Sequence, residues 1–181
     1  MSRFFYALLV SLVGIGIVHI TVLLLLPQFS ERDAWSSLAA ASDFYKSVRV
    51  DGSDDQAPLV GALDPLFRAS ACRFDLKEGP VHIRAPGNVP FWSVSIYNRA
   101  GQNVYSFNDR ATERGALDFV VLTPSQMIEI RKAPPETYQR SIFVQVPIGE
   151  GIVVVRSFVP DPTWEETTSA FLAKMACSKE V

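Results

Sequence analysis

Hydrophobic positions change rhythm twice along this chain. From Phe4 to Leu26 no residue carries a formal charge, and a helix of that length rises about 35 Å, enough to cross a bilayer with some tilt. Polar residues then enter. Ser30 with Asp33 resembles a helix cap, and Ala34, Leu38, Ala41 and Tyr45 recur at helical spacing with Trp35 beside them, which predicts a helix over Glu31–Tyr45. The stretch Asp51-Gly52-Ser53-Asp54-Asp55 and then Pro58 has the composition of an exposed loop.

Beyond Asp64-Pro65 the rhythm shortens to alternation, in short runs bounded by Gly, Pro and Asn. It predicts strands at Ala69–Leu76, Val81–Ala85, Phe91–Asn98, Gln102–Phe107, Ala116–Leu122, Ile142–Val146 and Ile152–Phe158. In the third, Trp92, Val94 and Ile96 share one face and Ser93, Ser95 and Tyr97 the other. Asn98-Arg99-Ala100-Gly101 reads as the turn into the fourth strand, and Ile148-Gly149-Glu150-Gly151 as the turn into the last.

Two further segments interrupt the strands. Thr123-Pro124-Ser125-Gln126 places a cap, a proline at the first helical position and a glutamine at the third, although Ile128 and Ile130 alternate as in a strand. Near the C-terminus, Thr163 with Glu166 reads as a capping box, and Trp164, Phe171, Leu172 and Met175 make one apolar helix face that should pack on the sheet. The fold class expected is mainly β: an antiparallel sandwich or partly open barrel with flanking helices, plus one N-terminal transmembrane helix. The division expected is an anchor over residues 1–29, a helical stem and loop over 30–63, and a β-rich extracytoplasmic domain with a C-terminal helix over 64–181.

The chain has 181 residues, 48% of them hydrophobic, enough for one domain with a real core besides the anchor. The N-terminal apolar run is longer than a signal-peptide core, and the next small-x-small tripeptide, Ala39-Ala40-Ala41, lies well downstream. These features favour an uncleaved anchor over a cleaved signal. Arg3 stands on one side of it while Glu31, Arg32, Asp33, Asp43 and Lys46 stand on the other, so basic residues alone do not orient it. The very short N-terminal tail favours an inside N-terminus and an outside domain at the cytoplasmic membrane. Within the span, Ala7, Ser11, Gly14, Val18 and Thr21 form a stripe that a second helix can approach, a pattern also common in single spans without a partner. A formal net charge of −2 lacks the clustered basic excess by which nucleic-acid binders displace counterions, so no nucleic-acid partner is expected.

The runs Asp64-Pro65-Leu66-Phe67-Arg68-Ala69-Ser70-Ala71-Cys72-Arg73-Phe74-Asp75-Leu76, Gly79-Pro80-Val81-His82-Ile83 and Pro90-Phe91-Trp92-Ser93-Val94-Ser95-Ile96-Tyr97-Asn98 resemble a bacterial cell-envelope family, domain of unknown function 1254. Its members often accompany domain of unknown function 1214. The resemblance implies a β-rich fold, an envelope location and no established reaction. Larger members carry both domains in one chain, so this one looks like a split version whose companion membrane protein carries the other domain. The family supplies no catalytic residues to transfer.

Candidate chemistry is sparse. Of two histidines, His19 lies in the span and His82 on a strand, where it shares a face with Arg84 and is expected to meet solvent. No zinc-protease, nucleophile-elbow or phosphate-loop motif occurs. Neither a cofactor nor a metal is expected, since two sulfurs without a nearby histidine make a poor ligand set. Cys72 and Cys177 are candidates for a disulfide in an oxidising compartment, or else two unpaired thiols. On a helix continuing from Trp164, Cys177 points away from the apolar face, so pairing requires the helix to end or turn first.

Arginines 68, 73, 84, 99, 110 and 114 crowd the first half of the domain. If Arg73 and Arg84 meet across neighbouring strands, with His82 alongside, they can hold an anionic ligand such as a lipid headgroup or carboxylate. Pairing with Asp75, Glu78 and Asp109 is the plainer alternative. Two functions remain: a non-enzymatic, bilayer-anchored envelope module that binds a partner protein or small anionic ligand, and an envelope enzyme, or half of one, completed by the companion membrane protein.

Overall fold

The computed structural model describes residues 2–29, 34–52, 58–59, 64–112 and 115–179. The chain divides into two compact units, residues 1–33 and 34–181. The first contains helix α1 (Ser2–Phe29), long and apolar enough over Arg3–Leu25 to cross a membrane. Its large apolar side chains from Phe4 to Leu25 are exposed. Thr21 turns its hydroxyl back to donate to the Ile17 carbonyl at 2.8 Å, which satisfies it without a partner helix.

The second unit holds two sheets face to face. The first has the strand order β1-β2-β8-β4-β5, from β1 (Ser47–Arg49), β2 (Phe67–Asp75), β4 (Trp92–Asn98), β5 (Asn103–Asn108) and β8 (Glu150–Phe158). The second has the order β7-β6-β3-β9, from β3 (Val81–Ala85), β6 (Leu117–Leu122), β7 (Ile142–Gln145) and β9 (Ala176–Lys179). Neither closes into a barrel. Every pairing is antiparallel except β6 with β7, because helix α3 (Pro124–Lys132) carries the chain back over the sheet between them.

Between the sheets lies the main core. Trp92, Val94 and Ile96 enter it from β4, as their alternation predicts, with Cys72 and Phe74 from β2, Val153 and Val155 from β8, Val81 and Ile83 from β3, and Phe119 and Val121 from β6. The indole of Trp92 donates to the Gly115 carbonyl at 2.6 Å and meets Phe107 edge-on, so its one polar atom is satisfied in the core. Helix α4 (Glu165–Ala173) contributes Phe171 and Leu172, and Met175 follows.

Both outer faces carry smaller cores. On the first sheet, Ala69, Ala71 and Ile152 pack with Leu38 of α2 (Ala34–Ala41), Val50 and Trp35. On the second, Val120 and Leu122 lie beneath Met127 and Ile130 of α3 and beneath Tyr138, from a 3-10 turn at Glu136–Tyr138. Strands covered on both faces lose strict alternation, which is why Ile152–Val155 and Phe119–Leu122 read as unbroken apolar runs.

Several local expectations change. Of the predicted Glu31–Tyr45 helix, residues 31–33 lie outside the described residues, as does the proposed cap Ser30, and the helix ends at Ala41. Tyr45 adopts a left-handed backbone, φ 60°, which turns the chain into β1. The Thr163–Glu166 capping box does not form. Asp161 caps instead, accepting from the Thr163 amide at 2.8 Å, because Pro162 opens a 3-10 turn there and α4 begins only at Glu165. Trp164 consequently stays outside the main core. At Thr123 both arms of the capping box are made and the ambiguous segment is helical. The helix before Cys177 stops at Ala173, and β9 brings Cys177 beside Ile83.

Candidate functional site

Three polar side chains meet on the outer face of the second sheet. His82 Nε2 lies 2.8 Å from Asp118 Oδ1, and Ser141 Oγ lies 2.6 Å from the same oxygen and 3.2 Å from Nε2. Tyr138 meets the imidazole edge-on at 5.3 Å. The expectation that His82 faces solvent is therefore wrong: it is fully buried, because the crossover through α3 and the Glu136–Tyr138 turn covers the face it shares with Arg84. Arg84 itself remains exposed.

Serine, histidine and aspartate are the components of a hydrolytic triad, but their arrangement is not one. A triad sets nucleophile and carboxylate at opposite ring nitrogens, so that the imidazole takes the serine proton while the carboxylate orients it. Here both converge on Nε2, and the serine hydroxyl donates to the carboxylate. The cluster instead ties β3, β6 and the entry to β7 together through hydrogen-bonded polar groups.

Beside it, α3 and the Glu136–Tyr138 turn frame a groove of about 500 Å³ lined by Pro80, Ser125, Glu129, Ile130, Ala133 and Tyr138, with Gln126 at its floor. The Gln126 amide is held by the Thr123 amide and the Leu76 carbonyl, and Glu129 pairs with Lys132 at 2.8 Å. The lining is mostly apolar, which suits a packed side chain better than a charged substrate.

On the first sheet, Arg73 is buried at 7% exposure. Its guanidinium carbon lies 4.6 Å from the Phe44 ring and 5.3 Å from the Trp35 ring, and Nη2 donates to the Ser42 carbonyl at 2.7 Å. Arg99 approaches Trp35 at 5.4 Å and pairs with Glu150 at 2.7 Å. Arg73 thus shares the Trp35 ring with Arg99 and does not meet Arg84: Arg73 belongs to β2 in one sheet and Arg84 to β3 in the other. Of the six arginines, Arg68 pairs with Glu165 and Arg99 with Glu150, carboxylates other than the Asp75, Glu78 and Asp109 expected, and outside that group Arg49 pairs with the nearly buried Asp51.

A disulfide joins Cys72 in β2 to Cys177 in β9, linking the two sheets through the core. Nearby, burial pushes the Tyr45 hydroxyl up to about 12 as it donates to the Asp75 carbonyl at 2.8 Å. Hydrogen bonds from Lys179 and Tyr45 hold the Glu78 carboxyl below its usual range. Lys46 lowers Asp43, and Thr163 lowers Asp161. Among the described residues, none of these displaced groups lines the groove, and no three metal-ligating side chains cluster.

The family model for proteins of unknown function, DUF1254, matches residues 66–179. This chain belongs to the DUF1254 family. No curated protein matches it. Its DUF1254 fold is similar to that of the VPA0106 protein from Vibrio parahaemolyticus, with a TM-score of 0.59 and 9% identity over 83% of this chain and 35% of that one. It is also similar to an uncharacterized protein from Burkholderia cenocepacia, with a TM-score of 0.53 and 14% identity over 81% of this chain and 38% of that one. The chain therefore spans little more than a third of either solved relative.

Sequence reasoning missed the Trp35–Phe44–Arg73–Arg99 cluster and the burial of His82. One signal was present in each case: the apolar runs Ile152–Val155 and Phe119–Leu122 announce strands covered on both sides, so outward residues beside them also fall under cover.

Proposed function

We propose that this DUF1254 protein is a non-enzymatic module of the bacterial cell envelope, anchored by α1 in the cytoplasmic membrane with its domain on the outer side, where it binds a companion membrane protein. The companion carries the domain of unknown function 1214. One observation carries the reading: in the solved proteins with this fold, which are more than twice as long, the shared part stands beside further protein. The disulfide fits an oxidising compartment, and the interlocked His82–Asp118–Ser141 cluster lacks the geometry of a reactive site.

The docking face that best suits a protein partner is the α3 groove together with β7. Ala133 and Pro135 are exposed at the groove, and the half-exposed Phe143 meets Tyr138 edge-on at 5.9 Å. Such a patch of aromatic and small apolar residues, with the exposed charges of Glu129, Arg131, Lys132, Glu136 and Arg140 in the same segment, has the mix of apolar centre and polar rim that protein interfaces show. The test mixes the full chain in mild detergent with the companion from the same bacterium and measures mass by light scattering. A complex heavier than the 20.0 kDa chain plus detergent is expected, weakened by Phe143→Asp and Ala133→Glu without loss of thermal stability. Two separate species sink the companion, and a complex indifferent to both substitutions sinks the face.

A further inference from the structure

We propose that two copies of this chain join edge to edge through β5, which pairs antiparallel with the β5 of a second copy about a two-fold axis at Ser106 and makes one sheet continuous across both. The junction lies apart from the α3 groove and needs no companion protein.

Two open sheets have four edge strands, and an edge presents unpaired amides and carbonyls to any strand that can meet them. Three of the four are short, and two of these end on a charge. Strand β1 has three residues and ends on Arg49, which pairs with Asp51; β9 has four and ends on Lys179; β7 has four. Strand β5 differs. It reads Asn-Val-Tyr-Ser-Phe-Asn, without a charge or a proline, and among the described residues no strand lies beyond it. A bulge opposite Ile96 and Tyr97 interrupts only its start, and Tyr105–Asn108 pair in regular register with β4. Tyr105, at the open edge, is 44% exposed.

The occupant is a second copy because β5 complements itself. An antiparallel pairing about a two-fold sets residues of the same face opposite each other. Centred on Ser106, it places Tyr105 opposite Phe107 of the other copy, twice, and Ser106 opposite Ser106. Tyr105 and Phe107 continue from Ile96 and Val94 on the face turned toward the second sheet, where Phe107 meets Trp92 and Phe119 edge-on. The pairing joins these rows to their equivalents and gives the exposed Tyr105 ring an aromatic neighbour, the kind of cross-strand pair that stabilises a sheet. On the other face, Ser106 Oγ donates to Ser95 Oγ at 3.2 Å and accepts from the Asn103 side-chain amide at 2.8 Å, uncharged groups that meet their own copies without repulsion. The nearest charges after β5, Asp109 and Arg110, fall level with Asn103 and Gln102, so no like charges face each other across the axis. A single pair of edge strands buries less surface than a permanent dimer interface, so the junction forms and separates with concentration.

The test uses the full chain in mild detergent, its two native cysteines held in the buried disulfide. Residues directly opposite in an antiparallel pair lie about 4.5–5.5 Å apart between Cα atoms, within the span of a disulfide, so Ser106→Cys should oxidise to a covalent dimer on a non-reducing gel. Asn103→Cys is the control on the same strand, since in this register its equivalent in the other copy is about 20 Å away. The expected result is a dimer formed several-fold faster at 106 than at 103 and lost on adding Tyr105→Lys. For the unsubstituted chain, the protein mass from light scattering should fall from two chains to one on dilution. Equal rates at 106 and 103 report random collision and overturn the pairing. A dimer whose mass survives Tyr105→Lys is held elsewhere, in the anchor or at α3, and overturns the edge. A chain monomeric at every concentration overturns the second copy, whatever strand of another protein the edge accepts.

Discussion

Gly151→Ala should destabilise the domain although the backbone there suits any residue. Gly151 lies in β8 at the centre of the first sheet, paired with Phe74 of β2 on one side and Asn98 of β4 on the other. A Cβ added at this position meets the Phe74 ring at 2.6 Å, the Tyr97 carbonyl oxygen at 2.7 Å and Ile148 Cδ1 at 3.0 Å. Ile148 can swing aside. Phe74 is fully buried and the Tyr97 carbonyl belongs to the β4 ladder, so neither can retreat without opening the sheet. Overpacking of this kind costs about 1–3 kcal/mol, and the loss of unfolded-chain entropy on replacing glycine returns about 0.4–1 kcal/mol. The net loss lies between about 0 and 2.6 kcal/mol, centred near ~1.3 kcal/mol, or a drop of about 3–5 °C in Tm for a domain of this size. Gly149→Ala is the matched control, since its Cβ meets only the flexible end of Lys77 at 3.4 Å. Urea and thermal unfolding of the full chain in detergent should separate the two variants. If Gly151→Ala proves as stable as Gly149→Ala, the packing argument for the sheet centre is wrong.

Further expectations follow from the same geometry. The paired substitutions Cys72→Ala and Cys177→Ala should lower unfolding stability by about 2–5 kcal/mol, because the bridge closes most of the domain into one loop; equal urea midpoints with and without reductant would contradict this. His82→Leu should cost about 1–3 kcal/mol by taking a partner from Asp118 and Ser141, measurable as a lower Tm. Tyr45 has its hydroxyl raised from 10.0 to about 12 in the fold, so its contribution is complete below pH 10 and declines as pH rises towards 12. Tyr45→Phe should flatten that alkaline decline in stability, and an unchanged slope would remove Tyr45 as its source.

The strands were readable because they alternate over short runs between turn residues, and β4 shows this best: Trp92, Val94 and Ile96 sit in the core where the alternation places them. What escaped depends on contacts distant in sequence. The end of α2 at Ala41 is followed by Ser42, whose carbonyl accepts from Arg73 of β2, a partner 31 residues away. Strand β9 is too short to announce itself and exists through pairing with β3. The parallel placement of β7 follows from the α3 crossover, and that same crossover buries His82. At the candidate sites, arginines and histidine were visible as residue types, but which sheet each joins was not. Arg73 and Arg84 look like neighbours in sequence and lie in different layers.

The redox state of Cys72 and Cys177 in living cells tests the central claim, an anchored domain outside the cytoplasm, most directly. Both are buried, so cells are quenched in acid and the chain is unfolded before its thiols meet a maleimide polymer, with or without prior reduction. The account predicts no gel shift without reductant and a two-polymer shift after it. A full shift without reductant, with protein synthesis and membrane extraction otherwise normal, places the domain in a reducing compartment and contradicts the account.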